Sequence, residues 1–465
     1  MREIVDRDSE LALLRSAAGD APALIVLIGR RRVGKSFLVD RAFTGKRVVA
    51  FQGDEQRERQ HLDLLAREAG RVLLGTEALS FADWDQALSF FGEQARRDPL
   101  TLILDEFQWL KSAQGALDSI IQRHWDRWDR DGTPIVLVLS GSALTMMERM
   151  LERGAPLFGR ASARPVLAPL DYRWAAAFAD TEDPVALLRR WAVLGGTPQY
   201  QIWAGTGALE DVIRERILTK GASLYDDPRH LLRDGENIRD PGTYVAILRA
   251  IAGGATSHND IAQRADVQTS NIRKRLDRLE DLGYISPRFP LGPGGHENRS
   301  IYEIADPYFR FWFRYVARNR SRLEHERVEE VLDEILDDLD NVMGRAFEDC
   351  CRAWLESYAD ERLIGSPRQI GSWWSRNGTV EVDVVGIRNH RYTLIGSCKW
   401  RRIANVGVLD DLVAHQDVLG RMATRAQRVI FAREGFSADL RGRAEEENVL
   451  LVNAHDLFRS APGVR

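Results

Sequence analysis

The octapeptide Gly29-Arg-Arg-Arg-Val-Gly34-Lys35-Ser36, with the aliphatic run Ala23 to Ile28 before it and Phe37-Leu38-Val39 after it, constrains this chain more than any other stretch. A short apolar strand, a glycine-bordered loop and a helix start are the context in which backbone N–H groups turn inward around phosphate oxygens. The helix N-terminus adds the positive end of its dipole. Glycine is needed where the backbone itself must approach the ligand. Lys35 then has the reach for the outer phosphates, and the Ser36 hydroxyl suits one position on Mg²⁺. The candidate phosphate-binding residues are Gly29, Arg32, Val33, Gly34, Lys35, Ser36 and Phe37.

A second constellation complements the first. Leu100 to Leu104 reads as a buried strand that ends in Asp105-Glu106. The first acid is suited to the Mg²⁺ shell and the second to orienting or deprotonating water. Two acids after a strand can also be helix caps or surface groups, and their pairing with the loop favours the metal reading. The next aliphatic run, Ile135 to Leu139, ends in Ser140-Gly141-Ser142, where Ser142 is placed to sense a terminal phosphate or to serve as an ordinary turn residue. With Arg47 to Phe51, these runs alternate with helical stretches over the first 165 residues, which predicts a parallel sheet covered by helices on both faces.

Composition bounds the rest. A length of 465 residues suggests about three domains at a typical size of roughly 150. The 65 basic against 69 acidic side chains, net −4, exclude a generally basic nucleic-acid coat while leaving room for a local basic face. The longest aliphatic runs fall far short of the about 20 residues that a membrane-spanning helix needs, so no membrane partner is expected. The charged first ten residues do not read as a secretory signal, and a cytoplasmic location is expected. Cys350, Cys351 and Cys398 form neither a disulfide framework nor a metal-binding spacing, and are expected reduced and buried.

Five segments follow along the chain. The expected order is an α/β core at 1–170, a helical lid at 171–240, a winged helix-turn-helix at 241–305, an aromatic and charged helical linker at 306–340, and an αβ domain at 341–465. Within the third, Asn259-Asp260-Ile261-Ala262 and Thr269 to Leu276 read as two helices, the second turning Ile272, Leu276 and Leu279 inward. Arg273, Lys274, Arg275 and Arg278 are left for solvent or for the phosphates of double-stranded DNA. A Pro/Gly turn at Pro290 to Gly295 and a strand at Ser300 to Ile304 would complete the wing. A helix is expected over Arg318 to Asp340 and another from Gly344.

The first 240 residues resemble the archaeal-type ATPases of the AAA+/STAND class of P-loop NTPases. Val5-Asp6-Arg7 with Glu10-Leu11, the phosphate loop, Asp105-Glu106-Phe107-Gln108, Gly141-Ser142, Phe158-Gly159-Arg160 and Gly195-Gly196-Thr197-Pro198-Gln199-Tyr200 carry the resemblance in order. It implies ATP and Mg²⁺ as cofactors, with ADP as product. It also implies Arg7 near the adenine, Gly196 to Pro198 closing on the nucleotide, and Arg160 as a catalytic arginine beside Lys35 and Glu106, in cis or from a neighbouring copy in a homo-oligomer.

Asp306-Pro-Tyr-Phe-Arg-Phe-Trp-Phe-Arg314 and the αβββαβ pattern after it resemble the uncharacterised, PD-(D/E)xK nuclease-related domain often fused to such ATPases. By that pattern Glu348, Asp383 and Lys399 match, whereas Ser397 stands where an acid is expected. A hydroxyl is a poor ligand for a hard cation, so the expectation is a nucleotide-dependent switch acting on DNA rather than a competent nuclease. A DNA-binding regulator with negligible turnover and an ATP-controlled nuclease are the alternatives.

Overall fold

A computed structural model describes residues 5–233, 240–292 and 300–459, without the side chain of Arg233. It divides the chain into two compact units, Met1–Pro169 with Asp281–Gly283, and Leu170–Glu280 with Tyr284–Arg465.

The first unit opens with α1 (Asp8–Gly19), β1 (Ala23–Gly29), α2 (Lys35–Ala42) and β2 (Val48–Gln52). It continues with α3 (Glu58–Leu74), α4 (Trp84–Arg97), β3 (Leu100–Asp105), α5 (Phe107–Ala113), α6 (Leu117–Asp131), β4 (Ile135–Gly141), α7 (Leu144–Arg149) and the short β5 (Val166–Leu167). All five strands run parallel in the order β2-β3-β4-β1-β5. Every residue of β1 and β4 is buried, which is why both read as unbroken apolar runs. Successive side chains of β1 serve opposite faces: Leu24, Val26 and Ile28 join the core under α3 to α6, while Ala23, Ile25 and Leu27 join that under α1 and α2. With both faces covered, the carboxyl ends of the strands are left for a ligand site.

The second unit begins with α8 (Tyr172–Ala175), α9 (Pro184–Leu194), α10 (Pro198–Ala204) and α11 (Leu209–Asp211), the last running into a π-helical turn at Val212–Leu218, and then α12 (Asp227–Arg233). Next come α13 (Pro241–Ala252), α14 (His258–Arg264) and α15 (Thr269–Asp281), followed by the antiparallel pair β6 (Ile285–Arg288) and β7 (Ile301–Ile304). Residues 293–295 of the expected turn lie outside the described residues.

The segment 306–340 is not a linker. It comprises α16 (Pro307–Phe311) with a π-helical continuation Trp312–Val316, α17 (Arg320–Glu324), and the start of a 30-residue helix α18 (Val328–Ser357). Tyr308, Phe309, Phe311, Trp312 and Phe313 are buried, and the Trp312 Nε1–H donates to the Tyr225 carbonyl over 2.7 Å. The single helix expected over Arg318 to Asp340 is interrupted at His325–Arg327, where Glu326 takes φ +61°. The helix expected from Gly344 starts instead at Val328, because Val331, Leu332, Ile335 and Leu339 already bury one face at helical spacing.

The chain ends with β8 (Gln369–Trp374), β9 (Glu381–Arg388), β10 (Arg391–Lys399), β11 (Ile403–Ala404), α19 (Val406–Leu419), β12 (Gln427–Ala432), β13 (Gly435–Phe436), α20 (Ala438–Glu446), β14 (Val449–Asn453) and α21 (Ala454–Phe458). Its main sheet runs β14-β12-β10-β9-β8. One face of that sheet shares a core with Tyr172, Leu188 and Ala192 of the lid helices. The Tyr172 hydroxyl donates to the Leu457 carbonyl over 2.7 Å, and the Arg173 guanidinium lies 3.7 Å over the Tyr358 ring. Helices α8 and α9 and the C-terminal sheet are therefore one packed body. The three cysteines are free and buried. Among the described residues no helix is long and apolar enough to cross a membrane.

Candidate nucleotide site

Between β1 and α2 the backbone is forced out of the ordinary regions. Gly34 takes φ +96°, and Arg32 sits at φ +71°, an unfavourable value for a residue with a side chain. A Cβ on Gly29 would lie 3.0 Å from the Leu167 Cβ, the Leu167 carbonyl and Val33 Cγ2, so that position accepts little beyond hydrogen. Val33 is buried and anchors the loop; Phe37, in the first turn of α2, is 44% exposed. Lys35 is 6% exposed, and its Nζ donates to the carbonyls of Gly29 (2.8 Å) and Arg30 (3.2 Å). A buried ammonium is thereby held inside the loop, where phosphate oxygens would be stronger acceptors.

The end of β3 meets this loop. The Ser36 hydroxyl donates to Asp105 Oδ2 over 2.8 Å, and Asp105 Oδ1 accepts the Glu106 amide at 2.9 Å. A hydroxyl and a carboxylate in contact are hard oxygen donors of the kind Mg²⁺ takes while keeping several waters, so the residues fit the cation. Glu106 lies at φ +49° between β3 and α5. Its Oε2 accepts from the Ser142 hydroxyl at 2.7 Å and from Gln108 Nε2. Ser36, Asp105, Glu106 and Ser142 thus form one chain of hydrogen bonds from the start of α2 across the ends of β3 and β4, with Lys35 next to Ser36 in the chain.

The other expected site residues have partners of their own. Arg7, 8% exposed, donates to the Ala168 carbonyl at 2.6 Å and to Glu10 at 3.4 Å. Arg160 forms a two-pronged pair with Asp126 of α6 at 2.7 and 3.0 Å and donates to the Phe158 carbonyl. The hydrogen bond and charge of Arg160 hold the Asp126 carboxyl below its usual range. None of those bonds reaches the phosphate loop. Pro198 belongs to the second unit, in the first turn of α10.

Within the second unit, Ile272, Leu276 and Leu279 of α15 are buried, Arg273 and Lys274 are exposed and Arg275 and Arg278 are half-buried. Glu348 of α18, Asp383 of β9, and Ser397 and Lys399 of β10 come together. Asp383 Oδ2 accepts from Ser397 Oγ (3.2 Å), the Cys398 amide (2.7 Å) and Lys399 Nζ (3.3 Å). Among the described residues no group of three His, Cys, Asp or Glu could hold a metal ion.

Burial and the neighbouring Asp383 charge push the Glu348 carboxyl from 4.5 up to about 7. Its folded value therefore lies above its unfolded one, so stability falls as pH rises from about 4.5 to about 7 and levels off beyond. Glu348→Gln should flatten that stretch of the stability profile and recover up to about 3 kcal/mol at pH 8. Denaturant melts at pH 5 and pH 8 check this; an unchanged slope would count against it.

The sequence reading missed Gln108 as a site residue, although it stands two places after Glu106. It also missed the ion-pair cluster of Arg288, Glu303, Arg310, Arg345, Asp349 and Arg352, of which only Arg345, Asp349 and Arg352 show a local signal, their helical spacing on α18.

A parallel sheet in this order, with a phosphate loop after its first strand and acids after its third, defines a P-loop NTPase. Comparison with known proteins agrees. Residues 21–173 match the family model of an AAA domain, and residues 312–409 match one described as archaeal and bacterial proteins of unknown function. An uncharacterized protein of Methanocaldococcus jannaschii is 25% identical over 409 residues, spanning 85% of this chain and 87% of that protein. Among solved structures, a Walker-type ATPase of Pyrococcus abyssi is 18% identical, covering 67% of this chain and 96% of its own at a TM-score of 0.49. The ORC2 protein of Aeropyrum pernix is 16% identical, covering 72% and 96%, with a TM-score of 0.46. The chain therefore carries a region similar to AAA domains followed by a region similar to that uncharacterised family.

Proposed function

We propose that this protein binds ATP with Mg²⁺ and hydrolyses it, and that nucleotide state controls how its second unit engages DNA. The observation that carries the proposal is the Ser36–Asp105 hydrogen bond beside the buried Lys35. It joins the two sequence constellations that a metal-assisted phosphoryl transfer requires. Lys35 and the loop amides would hold the phosphates, Ser36 and Asp105 the cation, and Glu106 would orient water. Bound Mg²⁺ supplies charge neutralisation at the transferring phosphate. Arg160 would contribute only once released from Asp126, in cis or to a second copy. The shared core of lid and C-terminal domain makes that body the natural recipient of the signal.

The DNA part rests on α13 to α15 followed by a two-stranded hairpin, read as a winged helix, with Arg273 and Lys274 on its open face. The relaxed carboxylate set at Asp383 favours docking over cutting. The direct test is equilibrium binding of a fluorescent ATP analogue with and without Mg²⁺, together with phosphate release with and without duplex DNA. An empty site at millimolar nucleotide would overturn the reading. Arg273→Ala combined with Arg275→Ala should weaken duplex binding by about tenfold or more and lower its salt slope by roughly one to two, while intrinsic ATP turnover is retained. Binding that is insensitive to both substitutions and to salt would remove DNA from the account.

A further inference from the structure

We infer that Gln108 is a positioning residue that couples the water-orienting carboxylate of Glu106 to the phosphate-sensing hydroxyl of Ser142. This rests on the ATPase reading above and names a residue within it. The side-chain amide of Gln108 is buried, 6% exposed, and is used on both of its ends. Nε2 donates to Glu106 Oε2 and, over 2.9 Å, to Ser142 Oγ. Oε1 accepts the backbone N–H of Ser142 at 3.3 Å. Two features of the backbone serve this clamp. The left-handed turn at Glu106 brings the first turn of α5 back over the strand ends. The bare Gly141 leaves room, since a Cβ there would lie 3.0 Å from Gln108 Oε1 and 2.6 Å from Met147 Sδ.

Hydrogen-bond bookkeeping gives the clamp a direction. A serine hydroxyl has one proton to donate. Because Gln108 donates into Ser142 Oγ, that proton must point away from the amide, and here it goes to Glu106. A terminal phosphate oxygen arriving at Ser142 competes for the same proton. When the phosphate takes it, Glu106 loses one of its two donors and keeps the other, from Gln108. The carboxylate is then freed on the Ser142 side but still held in place, so its capacity to accept from water rises only when the phosphate is present. Gln108 thus leaves nucleotide affinity to the loop and acts on the chemical step.

Three variants test this in the full-length chain. Gln108→Leu keeps the bulk and removes both polar ends; Gln108→Glu keeps the shape and replaces the donor by an acceptor facing Glu106. Each should lower kcat on the order of 10²-fold with KM and MgADP affinity within about threefold. Ser142→Ala combined with Gln108→Leu should cost little more than the worse single change, the signature of residues acting as a unit. Wild-type turnover in both Gln108 variants would overturn the inference while leaving the ATPase reading intact. So would a parallel loss of nucleotide affinity, which marks a packing role. A wild-type chain that binds no nucleotide would sink the ATPase reading itself, and is recognised by its own empty titration.

Discussion

Glu106→Gln should bind MgATP within a few-fold of the parent chain and hydrolyse it about 10²- to 10⁴-fold more slowly, the span usually contributed by a positioned proton acceptor. The expected separation of binding from turnover follows from where the carboxylate stands. Phosphate contacts belong to the loop between β1 and α2 and to buried Lys35, and the cation ligands to Ser36 and Asp105; Glu106 touches none of the first group. Its Oε2 is engaged by Ser142 and Gln108, which leaves Oε1 to accept from water. The amide keeps the volume and one acceptor but has no basic oxygen pair. Single-turnover phosphate release beside an equilibrium titration measures both quantities. Retained turnover would move the catalytic role to another group, and joint loss of binding would make Glu106 structural.

Asp349→Ala should destabilise the second unit by about 2 kcal/mol, below the range for a fully buried ion pair broken from one side, because Arg310 and Asp349 keep about a fifth to a quarter of their side-chain surface exposed. Asp349 on α18 accepts from Arg310 at 2.7 Å and Arg352 at 2.5 Å and lies 3.7 Å from Arg345. Burial alone would raise its carboxyl, but the three guanidinium groups outweigh burial and hold it well below the usual carboxylate range. Arg345 and Arg352 have Glu348 and Glu303 to fall back on, whereas Arg310 would be left inside without its carboxylate. A folded value below the unfolded one means that this stabilisation is present at neutral pH and disappears as pH falls through the acid range below about 3.9. The variant should therefore melt several degrees lower at pH 7, and the difference should begin to shrink below about pH 3.9 while a large part of it is still present near pH 3. An equal melting point at pH 7 would show that the cluster contributes nothing net.

The parts of the site legible in the sequence were those in which chemistry and local structure coincide. Gly29 to Ser36 is contiguous, its glycines answer to backbone angles, and its lysine and hydroxyl lie next to the turn they serve. Asp105 and Glu106 could be found because β3 is buried on both faces and so is an apolar run, interrupted only by Thr101, that ends in the two acids. Arg160 was a different matter. Its resemblance-derived role says where such an arginine acts, and the structure shows what it rests on: an acid on α6 that no spacing connects to it.

The sequence by itself determined the phosphate cradle, its two following acids and the alternation that makes a parallel sheet, because each is set by neighbours along the chain. Only the tertiary structure decided what the aromatic run at 306–314 packs against, that helices α8 and α9 share their interior with the C-terminal sheet, and that Gln108 bonds both Glu106 and Ser142. Those outcomes depend on groups brought together from distant positions, such as Tyr172 and Leu457, 285 residues apart. Burial and hydrogen-bond partners at that range leave no periodicity to read.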